Sequence, residues 1–425
     1  LTVFPFRAPR AVIYSGGSHT IRAHGAQEAF SLAETRIVII GGSIAGLSAA
    51  EAARAQDPGC AITLLTEDPH LPYYRQRQCE VLEDRAAAQK LVIHPKEWYT
   101  IRGISLRLGQ AVTGIDTQER AVALKDGSRL PYDRLVLATG SASVVPPIQG
   151  ADLPGVETLW TMEDALRIES RLKDARRAIV IGGGLLGLEA AYAFHKRGID
   201  NAILERLPRL MMRQLDERAA ELFTRQVEKE GSEVTTGASV AEIYADRAGR
   251  AAGVRLADGS QHPADLVLIS AGVRARTEIL SGSGVAFDRF IQVDQRMRTN
   301  VPDVYAAGDC ASLDGRWYGL WMVARGQGEA AGHNAAGGQR AYAAKTPPYM
   351  VNTMGTHIAS AGLTQQEGMT SDEIARAYAD VMENSEMFQY AKKLYLNEHL
   401  AGFILLGDTR AFSSLNKELA IGGTA

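Results

Sequence analysis

Arg36-Ile37-Val38-Ile39-Ile40-Gly41-Gly42-Ser43-Ile44-Ala45-Gly46-Leu47 is the stretch from which the rest of the chain can be read. A β-branched apolar run meets a glycine cluster, and the cluster leads into the small-residue pattern Ser48-Ala49-Ala50-Glu51-Ala52-Ala53. The order is strand, tight turn, helix. Such a turn aims the free N–H groups of a helix N-terminus at a pyrophosphate. Glu67 follows the next apolar run, Ala61 to Leu65, roughly 20 residues on, where an acid at a strand tip accepts ribose hydroxyls. Gly41 and Gly46 keep the outer glycines of the fingerprint and Ser43 replaces the middle one. Its small side chain enters the place where backbone approaches phosphate, and its hydroxyl can donate a hydrogen bond there.

The pattern occurs again as Ala178-Ile179-Val180-Ile181-Gly182-Gly183-Gly184-Leu185-Leu186-Gly187-Leu188-Glu189-Ala190-Ala191, with Glu205 ending the run that starts at Asn201. Gly182, Gly184 and Gly187 supply all three glycines. A single fingerprint is weak evidence, and two tight turns of an α/β sheet would imitate it. Strand, glycines, helix and acid in order, twice, are strong evidence for two bound dinucleotides, one able to pass electrons to the other. The carboxylate of Glu205 repels a 2′-phosphate and favours NADH over NADPH, a preference tempered by Arg206 and Arg209.

With 425 residues, 46% hydrophobic and 22% charged, the chain can fill two or three cores. A net charge of −3 gives no reason to expect nucleic acid, and Arg206, Arg209 and Arg213 have no interleaved aromatics. Met211-Met212 reads as packing. No apolar stretch approaches the ~20 residues that span a bilayer, and Arg7 and Arg10 precede no signal-length apolar segment. The expectation is a cytoplasmic protein without membrane insertion. Cys60, Cys79 and Cys310 are too few and too scattered for a disulfide framework, and the histidines form no ligand-spaced set, so no metal site is expected. An iron-sulfur cluster held by four thiolates would have to belong to a partner.

Residues 1–35 read as an N-terminal extension, either a tail or an arm that docks a partner. Residues 36–150 form one nucleotide-binding half, with short strands around 122–124 and a turn at Asp126-Gly127; it ends where an apolar strand meets Ala138-Thr139-Gly140. After the breakers Pro146-Pro147 and Pro154-Gly155, residues 151–269 form the second half, including a helix over 216–229. Residues 270–338 return to the first half, with Gly308-Asp309 at a strand tip and a helix over 325–336. Residues 339–425 read as a separate α+β unit with strands near 350–354, 358–362, 391–395 and 401–406. The predicted class is α/β: two Rossmann-like nucleotide-binding domains plus a C-terminal α+β domain.

From Arg36 to its end the chain resembles the FAD-dependent pyridine nucleotide-disulfide oxidoreductase superfamily, whose fold is glutathione-reductase-like. Leu71-Pro72-Tyr73-Tyr74-Arg75 and Gly402-Phe403-Ile404-Leu405-Leu406-Gly407-Asp408 are similar to the branch of rubredoxin reductases and nitrite reductase flavin domains. The resemblance implies FAD and NAD(H) as cofactors. It puts Gly41, Ser43, Ile44, Ala45 and Gly46 on the FAD pyrophosphate, Glu67 on the adenosine ribose, Val112 at the adenine and Arg75 on the flavin side. Ala138, Thr139 and Gly140 would close over FAD, with Gly308 and Asp309 at the ribityl chain. Gly182, Gly184, Leu185, Leu186 and Gly187 would hold NADH, with Glu205 on its ribose and Gly272 in the same crevice. Glu189 matches an acid beside nicotinamide and flavin, and Trp321 an aromatic near the ring system.

Two departures stand out. The redox cysteine pair of disulfide reductases is absent from the FAD domain, and the lysine that ferredoxin reductases pair with the helix acid is missing, which leaves Arg77 as its substitute. The function implied is a flavoprotein that moves electrons between NADH and a one-electron iron-sulfur protein or partner subunit. The flow can also run toward NAD reduction, with the chain as FAD subunit of a larger redox complex. The alternatives are a single-cysteine NADH peroxidase, oxidase or CoA-disulfide reductase using Cys79, and a mainly structural flavoprotein docking subunit. The C-terminal unit is expected to cover the flavin face or form a dimer contact.

Overall fold

The apolar runs before the two glycine clusters are buried on both faces, as the middle strands of parallel sheets are. In the computed structural model, which describes residues 34–343, 348–364 and 370–422, Arg36–Ile40 lies between Ala61–Leu65 and Arg134–Leu137. Ile104–Arg107 and Val304–Ala306 complete this all-parallel sheet. Arg177–Ile181 occupies the same position in a second parallel sheet, between Asp200–Glu205 and Leu266–Ile269, with Ser232–Thr236 and Val156–Thr158 outside them. Each half also carries a three-stranded antiparallel sheet, Val112–Asp116, Ala121–Leu124 and Arg129–Pro131 in one, Val240–Ala245, Ala251–Leu256 and Gln261–Pro263 in the other. The N-terminal extension lies outside the described residues up to position 33.

Ser141–Ser143 pairs antiparallel with Val273–Ala275, tying the segment after Gly140 to the segment after Gly272. The helix Glu217–Lys229 begins at Asp216, whose carboxylate accepts from the N–H of Ala219. The helix expected over 325–336 spans Trp321–Ala335, so it starts earlier. Leu320 precedes it and makes no side-chain cap, so the sequence carries no start signal there.

This helix crosses the first fingerprint helix, Ile44–Gln56, at very short range. A Cβ on Gly328 would lie 2.2 Å from the carbonyl oxygen of Ala45, and one on Gly332 would lie 1.9 Å from that of Ala49. Only glycine lets the two backbones approach so closely.

The C-terminal sheet is antiparallel, ordered Tyr349–Thr353, Thr356–Gly362, His399–Leu406, Gln389–Leu396, Ala377–Asn384. Four of these strands match the expected ones. The strand Ala377–Asn384 was not anticipated, because it lies at the sheet edge with nearly every residue exposed and so lacks a buried alternation. The sheet packs on the second half, where Met354, Ile358, Ile404 and Leu406 share a core with Phe194, Phe223 and Leu222. Lys392 and the Tyr390 hydroxyl both meet the Asp216 carboxylate, at 2.8 and 2.9 Å, so the residue that caps one helix also anchors the sheet.

Candidate functional site

The two glycine turns have the same backbone design. Gly41 has φ +117° and Gly182 φ +119°, a region that favours glycine, and a Cβ would lie 1.9 Å from the Ala138 carbonyl oxygen and 2.2 Å from that of Ser270. Gly46 and Gly187 play the second part. A Cβ on either would reach the carbonyl oxygen of Gly41 or Gly182, at 1.8 and 2.2 Å, so both glycines serve helix–strand packing.

Ser43 and Gly184 are the helix N-cap residues, with nearly identical φ and ψ, −83° and −170° against −80° and 174°. A Cβ on Gly184 would meet nothing within 4 Å. Serine at position 43 therefore costs the fold nothing.

Neither fingerprint helix has a side-chain cap or an acid in its first turn. By contrast, Thr161 and Asp164 form a full capping box on the helix Met162–Arg171. The uncapped first-turn N–H groups of these two helices are thus open to an anion.

The first turn opens on a cavity of about 1150 Å³. That exceeds the ~300–1,000 Å³ usual for a drug-sized ligand, as a dinucleotide requires. Gly41, Ser43, Ile44, Ala45, Glu67, Arg75, Val112, Ala138, Thr139, Gly140, Gly308 and Asp309 line it, and so do Leu185, Leu186, Glu189 and Trp321 from further along the chain. The residues fit FAD: an uncapped helix N-terminus, a turn that admits no side chain, and an acid near the strand tip in one continuous space. Gly46, Gly182, Gly184, Gly187, Glu205, Gly272 and Arg77 do not line this cavity. Five of these build the second turn and its crevice, Gly46 is spent on packing, and Arg77 stands apart.

Local order around the cavity is dense. Gly308, with φ +82°, leaves 2.8 Å between a hypothetical Cβ and that of Ala45, and its N–H donates to Gln327. Asp309 accepts from the Ser141 hydroxyl at 2.9 Å; burial raises its carboxyl, while that bond and nearby Arg75 oppose the rise. Arg75 lies over the rings of Tyr73 and Trp160, 5.4 and 5.7 Å from their centres. Trp160 donates to the Ser141 carbonyl at 2.6 Å, and Trp321 sits 6.0 Å from Tyr74.

The two strand-tip acids are not equivalent. Ile40 pairs with Leu65 and Ile181 with Leu204, so Glu205 sits level with Thr66, and Glu67 lies one residue further out. Glu205 is buried and accepts from the N–H groups of Gly183 and Leu207, both at 2.6 Å, which fixes a carboxylate beside its own glycine turn. Glu67 instead pairs with Arg276.

Arg77 does not serve as the cation for Glu189. Its guanidinium is bidentate on Glu80, three residues ahead in the helix Cys79–Glu83, at 2.6 and 2.9 Å. Burial, with the Glu80 charge adding to it, raises the Glu189 carboxyl from 4.5 to about 7. Between those values the folded chain holds a proton that the unfolded chain releases, so this group's contribution to stability falls as pH rises across that window.

The surroundings of Cys79 disfavour a thiolate. The thiol is buried outside the cavity lining, and burial, Glu189, Glu83 and Glu80 all push its pKa up. Arg276, Trp160 and Gln78 line the cavity without having been anticipated. Only the alternation Arg274-Ala275-Arg276, which turns two cations to one side of a strand, hinted at the first of them.

Among the described residues no group of three or more His, Cys, Asp or Glu side chains could hold a metal ion, and no helix is long and apolar enough to cross a membrane. The family model described as pyridine nucleotide-disulphide oxidoreductase matches residues 35–328. The chain is 33% identical over 378 residues to an assimilatory nitrate reductase electron transfer subunit of Bacillus subtilis, covering 88% of this chain and 48% of that one. It is 30% identical over 328 residues to the NADH-rubredoxin oxidoreductase of Clostridium acetobutylicum, covering 77% and 82%. A ferredoxin reductase structure from Rhodopseudomonas palustris superposes with a TM-score of 0.80 at 25% identity, over 88% of this chain and 91% of that one. The chain spans about half the length of the first curated relatives it matches, at 48%, 49% and 45%. Two glycine turns of one design, the first of them opening on a dinucleotide-sized cavity, together with these matches, make the chain a member of the pyridine nucleotide-disulphide oxidoreductase family, FAD-dependent oxidoreductases that use NAD(H).

Proposed function

We propose that this chain takes electrons from NADH onto FAD and hands them to a one-electron iron-sulfur acceptor, on a separate protein or on a partner subunit of a larger redox enzyme. The same arrangement serves the reverse, NAD-reducing direction. The observation that carries this reading is that residues at the starts of both fingerprint helices, Ser43, Ile44 and Ala45 on one side and Leu185, Leu186 and Glu189 on the other, line one cavity. In this reading residues 36–150 and 270–338 hold FAD, residues 151–269 hold NADH, and residues 339–425 buttress the second half. NADH as reductant supports a cytoplasmic setting.

FAD, when bound, supplies two-electron acceptance from a hydride donor and release of electrons one at a time. The chain supplies position and charge. The open N–H groups at Ser43 to Gly46 bind the FAD pyrophosphate, Glu67 and Val112 take its adenosine end, and Asp309 takes its ribityl hydroxyls. Thr139 and Gly140 close over it; the Thr139 hydroxyl and the Gly140 carbonyl are tied to the Arg276 backbone. Gly182, Gly184 and Gly187 bind the NADH pyrophosphate, Gly272 lines the crevice, and Glu205 accepts ribose hydroxyls and repels a 2′-phosphate. Leu185, Leu186 and Trp321 exclude water where the two rings meet.

Glu189 acts by charge. An ionised Glu189 would stabilise the positive charge that hydride donation would leave on a nicotinamide held beside it, whereas the protonated form would not. Reduction by NADH should therefore accelerate as pH rises through about 7. Glu189→Gln is expected to abolish the inflection and to be about tenfold slower at about pH 8, as measured by stopped-flow flavin reduction.

The acceptor lies outside this chain. Its three cysteines cannot supply the four thiolates of a cluster, and Cys60, Cys79 and Cys310 are all buried. The names of relatives, an electron transfer subunit and a rubredoxin oxidoreductase, support an acceptor of this class. Cys79→Ser is expected to leave acceptor reduction within about twofold of the parent, since the thiol is held protonated. Steady-state assay of both chains with a rubredoxin and with peroxide tests the reading: rapid rubredoxin reduction by both supports it, and peroxide turnover lost in Cys79→Ser would establish the thiol route instead.

A further inference from the structure

Arg276 follows the strand Val273–Ala275 and lines the large cavity. Its backbone is fixed to the wall made by Thr139 and Gly140: its N–H donates to the Gly140 carbonyl at 3.0 Å, and its carbonyl accepts from the Thr139 hydroxyl at 2.7 Å. Its guanidinium pairs with Glu67. These two anchors lie past the tips of different strands, Gly140 beyond Arg134–Leu137 and Glu67 beyond Ala61–Leu65, and Arg36–Ile40 is the strand between them in the parallel sheet. Neighbouring strands lie about 4.8 Å apart, so a side chain that joins the first to the third crosses the end of the second. There the first glycine turn leads into the uncapped helix Ile44–Gln56.

A dinucleotide pyrophosphate carries two negative charges, whereas the open N–H groups of one helix N-terminus offer the equivalent of about half a positive charge. A guanidinium matches phosphate oxygens in both charge and geometry. Of the other arginine and lysine residues that line the cavity, Arg274 is paired with Glu278, and Arg75 donates to the Trp160 carbonyl. Lys125 stands at the adenine end, its N–H on the carbonyl of Ala111 beside Val112. We infer that Arg276 is a phosphate ligand of the FAD site: on cofactor binding its guanidinium passes from Glu67 to the pyrophosphate, and the Glu67 carboxylate turns to the ribose hydroxyls. Both side chains of the pair are partly exposed, Glu67 49% and Arg276 39%, so the exchange gives up a weak surface ion pair. The inference rests on the FAD placement given under the proposed function and adds the residue that reads the phosphates.

Titration of the full-length apoprotein with FAD, followed by flavin fluorescence, tests it, with ADP and adenosine measured as competitors of FAD so that only this site is read. The two competitors share the nucleoside and differ in the pyrophosphate. In Arg276→Met, and in Arg276→Gln should methionine impair folding, FAD and ADP should bind about tenfold more weakly than to the parent, while adenosine stays within about twofold. Parent-like ADP affinity in the variant, or losses of equal size for ADP and adenosine, would overturn the inference while leaving the FAD site in place. A folded chain that binds FAD but from which ADP cannot displace it would overturn the FAD placement along with it.

Discussion

Gly41→Val is expected to give a chain that carries no FAD and is destabilised by about 2–6 kcal/mol. Two costs combine. The backbone at position 41 has φ +117°, where a β-branched residue is strained, and its Cβ would lie 1.9 Å from the Ala138 carbonyl oxygen. The strand Arg134–Leu137 would have to separate from Arg36–Ile40, and Ala138 to Gly140 would leave the cavity with it. Ser43→Gly is the control, because the matching Gly184 holds the same extended conformation without strain or close neighbours. It should unfold within about 1 kcal/mol of the parent and keep its flavin. Denaturant unfolding and the flavin absorbance per chain measure both effects.

Gly332→Leu is expected to be at least as damaging, by about 3 kcal/mol or more, although Gly332 does not line the cavity. A Cβ there falls 1.9 Å from the Ala49 carbonyl oxygen, and the remaining leucine atoms have no space between the helices Trp321–Ala335 and Ile44–Gln56. The overlap involves backbone, so no rotamer relieves it. Pushing the helices apart displaces Trp321 at one helix N-terminus and the first glycine turn at the other, so flavin affinity should fall together with stability. Gly337→Ala, just past the same helix, has open space but φ +90°, and should cost only about 1 kcal/mol. Chemical denaturation of the two variants separates packing from local strain.

The two nucleotide turns were legible in the sequence because the constraint there is local. Strand, glycine and helix follow one another within a dozen or so residues, and each glycine answers a steric need of its own neighbours. The helix crossing carried its own sign, Gly328 and Gly332 one turn apart, but the partner surface of Ala45 and Ala49 comes from another part of the chain. What was not legible depended on register: strand pairing sets Glu67 one position beyond the place that Glu205 holds, leaving Glu205 tied to its own glycine turn and Glu67 to Arg276.

Arg77 failed for a related reason. A side chain three residues ahead, at the start of the next short helix, is nearer than any residue of a remote helix, so Glu80 captures it and among the described residues no salt bridge reaches Glu189. Gln78 and Trp160 could not be singled out by any local pattern. The chain fold carries them to a common cavity.

Anaerobic addition of NADH to the FAD-reconstituted chain tests the central claim most directly. The account predicts that the yellow absorbance bleaches rapidly as NADH is consumed in equal amount, and that colour returns when an oxidised one-electron iron-sulfur protein is added. A chain that binds FAD yet stays yellow with excess NADH would contradict it.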